Sequence, residues 1–217
     1  MPATSGRVRV IACGALAHEL SALRKSCVTE AGATPFEISC LPPELHNTPD
    51  GIPQAVETAV VAAQAAGEHV FVAYADCGTG GLLDAMLQRY GVERLPGAHC
   101  YEFYAGSLAF AQLAEEELGT FYLTDFLVRH FERLVVQSLG IDRHPELIPE
   151  YFRHYRRLVY LRQAKGADAS DEARAIAGRL GLSYQEVDTG YGELATASGA
   201  WLKRHGVTLV VNEREVG

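Results

Sequence analysis

The chain has 217 residues, 48% of them hydrophobic and 21% charged, with a formal net charge of -8. That length and apolar content suffice for one sizeable buried core. The acidic balance excludes general nucleic-acid binding, which needs a basic surface against phosphates, and no run approaches the roughly 18 apolar residues of a membrane span.

The apolar part of "SGRVRVIACGALA" near the start is too short for a secretory signal and reads instead as a first buried strand over 7–13. Residues 14–27 carry apolar spacing of about 3.6 and predict a helix. "FEISCL" at 36–41 alternates as a second strand, and the prolines, Asn and Gly of 42–51 make a loop. An alanine-rich helix at 52–67 stops at Gly67, and "HVFVAYA" at 69–75 is apolar throughout, as a central parallel strand is. Residues 80–91 are helical, 92–100 hold a short strand and a turn, and 101–119 are mostly helix. A strand at 120–124 precedes helices at 125–140 and 144–155. Strands at 157–163, 183–188 and 207–212 then alternate with helices at 170–181 and 191–206. This alternation predicts an α/β, Rossmann-like fold, a mainly parallel sheet flanked by helices. The expected organisation is a single α/β domain over 1–217, with lobes 1–125 and 126–217 as the alternative division.

Ligands of open α/β sheets bind beyond the carboxyl ends of the strands. Cys13 ends the first strand, His46 lies in the loop after the second, Cys77 follows the third, and His99 and Cys100 follow the next strand and turn. Three thiols and one or two imidazoles therefore come from successive loops on one edge, a soft donor set that suits zinc. Three protein ligands leave a position open for substrate, whereas four close the site as a structural one. Cys27 and Cys40 fall outside this convergence and read as ordinary buried small residues. Five cysteines, an odd number, fit a reduced cytoplasmic protein better than a disulfide scaffold. Cys13 and Cys100 taken alone read as core, Cys77 alone stands evenly between core and function, and no close CxxC pair exists, so the joint placement carries the metal reading.

"CGTGG" at 77–81 invites two other readings. Its glycines, Gly78, Gly80 and Gly81, expose amides at a helix N-terminus that suit a phosphate, but the run is neither a dinucleotide fingerprint nor a Lys-bearing phosphate loop. Cys77 also reads as a nucleophile with His46 or His99 as base. His18, His69, His130, His144, His154 and His205 read as solvated or packed imidazoles. Asp188 at a strand end reads as a helix cap or as an acid that orients a substrate, Tyr101 and Tyr104 as core aromatics or as pocket wall, and the basic cluster at 153–158 as a solvated face.

Five blocks in order carry a family resemblance: "ACG.L..E" at 12–19, "LPPELHNTP" at 41–49, "YADCGTGG" at 74–81, "HCYEFYAG" at 99–106 and "FYLT" at 121–124. The chain resembles, over roughly 8–210, the proteins grouped as domain of unknown function 1638. Cys13, His46, Cys77 and Cys100 fall inside these blocks. His99 stands where the family commonly has an acid, which leaves the ligand at that position open between His99 and Cys100. The resemblance implies an association with corrinoid-dependent methyl-transfer systems.

Two functional classes follow. The first is a zinc enzyme of one-carbon metabolism, in which the metal activates the thiol of a small-molecule substrate or a related acceptor. There Asp76 and Glu102 are the acids near an open position, and whichever of His46 and His99 is not a ligand moves a proton. Gly78, Gly80 and Gly81 would let substrate approach the backbone. The second is a non-catalytic metal- or cofactor-binding accessory protein, with a corrinoid protein or methyltransferase subunit as partner.

Overall fold

The computed structural model describes residues 7–29, 36–163, 169–190 and 192–209. The α/β class holds: parallel sheets are flanked by helices in a Rossmann-like arrangement. The chain forms two compact units, Met1–Cys100 with Glu193–Gly217, and Tyr101–Gly192.

In the first unit, β1 (Val8–Cys13), β3 (Glu37–Leu41), β4 (His69–Ala73) and β5 (Glu93–Arg94) form a parallel sheet in the order β3-β1-β4-β5. The β-branched run of β1 makes it a central strand, with Val10 paired to Ile38 on one side and Phe71 on the other. Ile11, Ala12 and Cys13 are fully buried, as are Val72, Ala73, Tyr74 and Ala75 at the end of β4. Helix α2 (Ile52–Ala65) buries Ile52, Val56, Val60 and Ala63, one stripe at helical spacing. Helix α3 (Leu82–Tyr90) buries Leu83, Met86 and Leu87 and stops at Gly91, whose φ of 63° a glycine adopts without steric cost.

The helix expected over 14–27 is shorter. A 3₁₀ turn at Gly14–Leu16 leads into α1 (Ala17–Lys25), and Cys27–Thr29 forms β2 instead. That strand pairs antiparallel with β9 (Val207–Leu209), which follows α9 (Leu194–Arg204). Its partner lies about 180 residues away in sequence, so local periodicity carried no sign of it. The expected strand over 207–212 is described through Leu209, and 210–212 lie outside the described residues, as does Tyr191 of the helix expected over 191–206. The loop at 42–51 contains two 3₁₀ segments, Pro43–Asn47 and Pro49–Gly51, each opened by a proline that presets the backbone. Cys40 is exposed rather than buried, because β3 is the edge strand of its sheet.

In the second unit, β6 (Thr120–Thr124), β7 (Arg157–Arg162) and β8 (Ser183–Asp188) form a parallel sheet with β7 in the middle. Leu158, Val159, Tyr160 and Leu161 are fully buried there. Helix α8 (Ser170–Leu180) covers this core with Ala173, Ile176, Ala177 and Leu180. The helix expected over 101–119 breaks at Gly106, φ 80°, into α4 (Tyr101–Ala105) and α5 (Ser107–Glu116). The one expected over 125–140 becomes α6 (Asp125–Arg129) and a π-helical turn at Glu132–Gln137. The helical stretch at 144–155 contains a 3₁₀ turn and α7 (Ile148–Phe152). Strands therefore pair in two separate parallel sheets. The divisions fall after Cys100 and Gly192, not at 125, because β6 bonds to β7 while α9 and β9 return to the first unit.

Candidate metal centre

All pairings in the four-stranded sheet are parallel, so the carboxyl ends of its strands share one edge. Cys13 closes β1, and its Sγ accepts the Ala15 amide at 3.3 Å as the 3₁₀ turn begins. His46 sits in the proline-opened segment after β3, its Nδ1 3.2 Å from the Pro43 carbonyl. Cys77 lies four residues beyond β4 with φ 51°, a left-handed conformation that costs a non-glycine residue on the order of 1 kcal/mol.

Two sets of bonds hold Cys77 there. The Asp76 carboxylate accepts the Thr79 hydroxyl at 2.6 Å and the amides of Gly80 and Gly81 at 3.0 and 2.8 Å. The Asp76 and Cys77 amides donate to the carbonyls of Gly97 and Ala98 at 3.1 and 2.9 Å, joining this turn to the loop that carries Cys100. Arg94 fastens that loop. Its guanidinium grips Asp84 at 2.6 and 2.7 Å and donates to the Leu95 carbonyl at 2.7 Å and the Gly97 carbonyl at 3.3 Å.

These supports bring His46, Cys77 and Cys100 together, with their ligand atoms all within 4.8 Å of one another. The Cys77 and Cys100 sulfurs are 3.2 Å apart, and Cys100 Sγ is 3.7 Å from His46 Nε2. Tetrahedral zinc with ordinary bond lengths sets sulfur pairs about 3.8 Å apart and sulfur–nitrogen pairs about 3.6 Å apart. The donor set therefore suits that ion: the Cys100–His46 pair already has the spacing, and the two sulfurs would open by about 0.6 Å. Cys13 lies on the other side of the imidazole, 3.7 Å from Nδ1, and is not part of the three-residue group.

The electrostatics suit a soft cation. The bond from Cys100, with His46 beside it, pulls the Cys77 thiol down to about 5 despite burial. Cys100 keeps its proton, pushed well up by the adjoining Cys77 and by burial. Burial opposes a charged imidazole at His46, but the thiols of Cys13 and Cys77 outweigh it and raise the ring to about 10. Without metal, the centre thus holds a thiolate beside an imidazolium.

The remaining candidates fall outside that group of three. His99 is exposed next to Cys100 in sequence. Asp76 organises the turn, and the Thr79 hydroxyl, ahead of the Gly81 and Gly80 amides and the Arg94 charge, holds its carboxyl below the usual range. Two of the amides a phosphate would use, those of Gly80 and Gly81, donate to that carboxylate, and Gly78 is exposed beside Pro49. Glu102, Tyr101 and Tyr104 belong to the second unit, where Tyr101 stacks on Tyr122 and Tyr104 is buried. Asp188 pairs with Arg162. Arg157, in the run read as a solvated face, turns inward to Thr120, Gln185 and the Leu113 carbonyl. Cys27 is buried, and burial pushes its thiol up to about 11, which makes it inert.

Two residues escaped the sequence reading. Arg94 is a lone cation in a two-residue strand, and only its contacts reveal its role. Tyr74 ends the apolar run of β4, fully buried, with its ring stacked on His46 at 6.0 Å and 12°. A hydroxyl-bearing ring directly before "ADC" was the available signal.

A family model described as a protein of unknown function (DUF1638) matches residues 40–197. The match includes His46, Cys77 and Cys100, while Cys13 precedes it. No curated protein and no solved structure matches the chain.

Proposed function

The chain belongs to the DUF1638 family, and on that premise we propose a cytoplasmic zinc enzyme of one-carbon metabolism that activates a small-molecule thiol for methyl transfer. The observation that carries the reading is the convergence of one imidazole and two thiols within 4.8 Å at the carboxyl edge of the sheet. His46, Cys77 and Cys100 would hold the metal. Zinc bound through thiolates lowers the pKa of a thiol that completes its shell and keeps the sulfur nucleophilic.

The chain's own residues do the rest. The Pro43 carbonyl, 3.2 Å from Nδ1, fixes the His46 ring so that Nε2 faces Cys100. Cys77 is a thiolate at neutral pH before metal arrives. The protons of His46 and Cys100 leave when the metal binds, so affinity rises with pH. Exposed His99, beside Cys100 in sequence, is the group proposed to carry the substrate proton to solvent. The proposed partner is a corrinoid protein or methyltransferase subunit, in keeping with the family association. Among the described residues, no helix is long and apolar enough to cross a membrane.

The test is elemental analysis of the purified protein, followed by X-ray absorption at the zinc edge during titration with small thiols. About one zinc per chain is expected, with two protein sulfurs and one nitrogen and an added sulfur as thiol enters. A first shell that never changes with any thiol refutes the enzyme reading. A second reading, the non-catalytic accessory protein, would need Cys13, which faces the Nδ1 side of the His46 ring at 3.7 Å, to move round to the metal as a fourth protein ligand. Three protein sulfurs at the metal, with no response to thiols, would establish it.

A further inference from the structure

Tyr74 is fully buried, and its hydroxyl makes no hydrogen bond of ordinary geometry among the described residues, the Cys13 thiol being the internal group that competes for it. Its ring lies parallel to His46, and the titratable groups around it are the thiols of Cys13, Cys77 and Cys100. A buried hydroxyl without a partner is destabilising, and phenylalanine would fill the same ring volume without that cost. The hydroxyl becomes favourable only when an acceptor arrives beside the sulfur cluster. A phenol carries one proton to donate. An interaction absent from the empty site and made only on occupancy contributes in full to binding.

We propose that the Tyr74 hydroxyl donates a hydrogen bond to the exogenous thiol sulfur that enters the His46–Cys77–Cys100 centre, and so positions that ligand. The inference rests on the thiol reading above. The bond favours the anionic form of the incoming sulfur, so Tyr74 acts on the pH at which the thiol binds as well as on its affinity. The ring's stacking on His46 is independent of the hydroxyl, and Tyr74→Phe therefore isolates the oxygen.

The experiment uses full-length protein loaded with cobalt(II), titrated with 2-mercaptoethanol while the sulfur-to-cobalt absorption band is followed across pH. Tyr74→Phe is expected to bind cobalt at the wild-type stoichiometry, to bind the thiol about tenfold to a hundredfold more weakly, and to require higher pH for the band to appear. Melting of the metal-free protein gives a second readout of opposite sign: Tyr74→Phe is expected to melt higher, because an unpaired buried hydroxyl has gone. Equal thiol affinity and pH profile in the two proteins would overturn the inference alone. So would a lower melting temperature in metal-free Tyr74→Phe, which would mean that the hydroxyl serves an internal bond. A wild-type band that never responds to thiol would overturn the thiol reading and this inference together.

Discussion

Replacing Asp76 by alanine removes one carboxylate and, with it, three hydrogen bonds, from Thr79 Oγ1 at 2.6 Å, Gly81 N at 2.8 Å and Gly80 N at 3.0 Å. Bonds to a charged acceptor contribute about 1.5–3 kcal/mol each when dry, but this turn is half in water, so the loss is about 2–3 kcal/mol in all. The same turn holds Cys77 at φ 51°, and loosening an outer support of this kind weakens metal binding by about 10–100-fold. Urea unfolding of the metal-free protein measures the first quantity and competition with a zinc chelator the second. The pH dependence supplies a further check. The carboxyl's pKa is lowered from its ordinary 3.8, so its contribution is complete above that value and disappears as pH falls through the lower folded value. The stability gap between wild type and Asp76→Ala should therefore be constant near neutrality and close in acid. A variant that matches wild type in both unfolding midpoint and zinc affinity would show that the carboxylate does not organise the turn.

Cys77→Ser and Cys100→Ser should each lose most of the bound zinc, whereas Cys27→Ser and Cys40→Ser keep it and Cys13→Ser retains the stoichiometry, all by elemental analysis. Equal metal in every variant would end the metal reading. Metal-free stability should rise from about pH 5 to 6.5 as the Cys77 thiolate forms in the fold, stay level to about 9, and fall above that as native His46 loses its proton towards 10 while the unfolded thiols ionise; chemical denaturation across pH measures it, and a stability that declines from pH 5 to 6.5 would contradict the thiolate–imidazolium pair. In the second unit, Asp125 is 2% exposed and accepts the Tyr160 hydroxyl at 2.7 Å and the Gln163 amide at 3.2 Å. Asp125→Ala should cost about 2–4 kcal/mol by urea unfolding, since both donors lose their acceptor in a buried setting.

Much of the candidate centre is legible in the sequence. Short β-branched runs alternating with helical periodicity indicate parallel strands, and parallel strands bring their carboxyl ends to one edge. Reading which Cys and His follow those ends therefore selects Cys13, His46, Cys77 and Cys100 while leaving Cys27 aside. Cys40 was assigned to the core because alternation alone does not tell an edge strand from a central one. The helical pattern runs through Cys27 and gives no sign of the strand Cys27–Thr29, because its pairing partner, Val207–Leu209, is remote in the chain.

Strand and helix type, the sheet edge and the soft donor set were determined by the sequence, because side-chain periodicity and residue chemistry are local properties. Tertiary structure alone decided which donors share a centre. An imidazole has two nitrogens on opposite sides of one ring: Nε2 faces Cys100 and Nδ1 faces Cys13, so four residues on one edge become a group of three with a neighbour behind it. It likewise decided that Asp76 closes a turn, that Arg94 ties down the loop before Cys100, and that the Tyr74 hydroxyl is buried without a partner. Each of these depends on the direction of a side chain within a few ångströms of groups tens of residues away, and one-dimensional spacing does not encode direction.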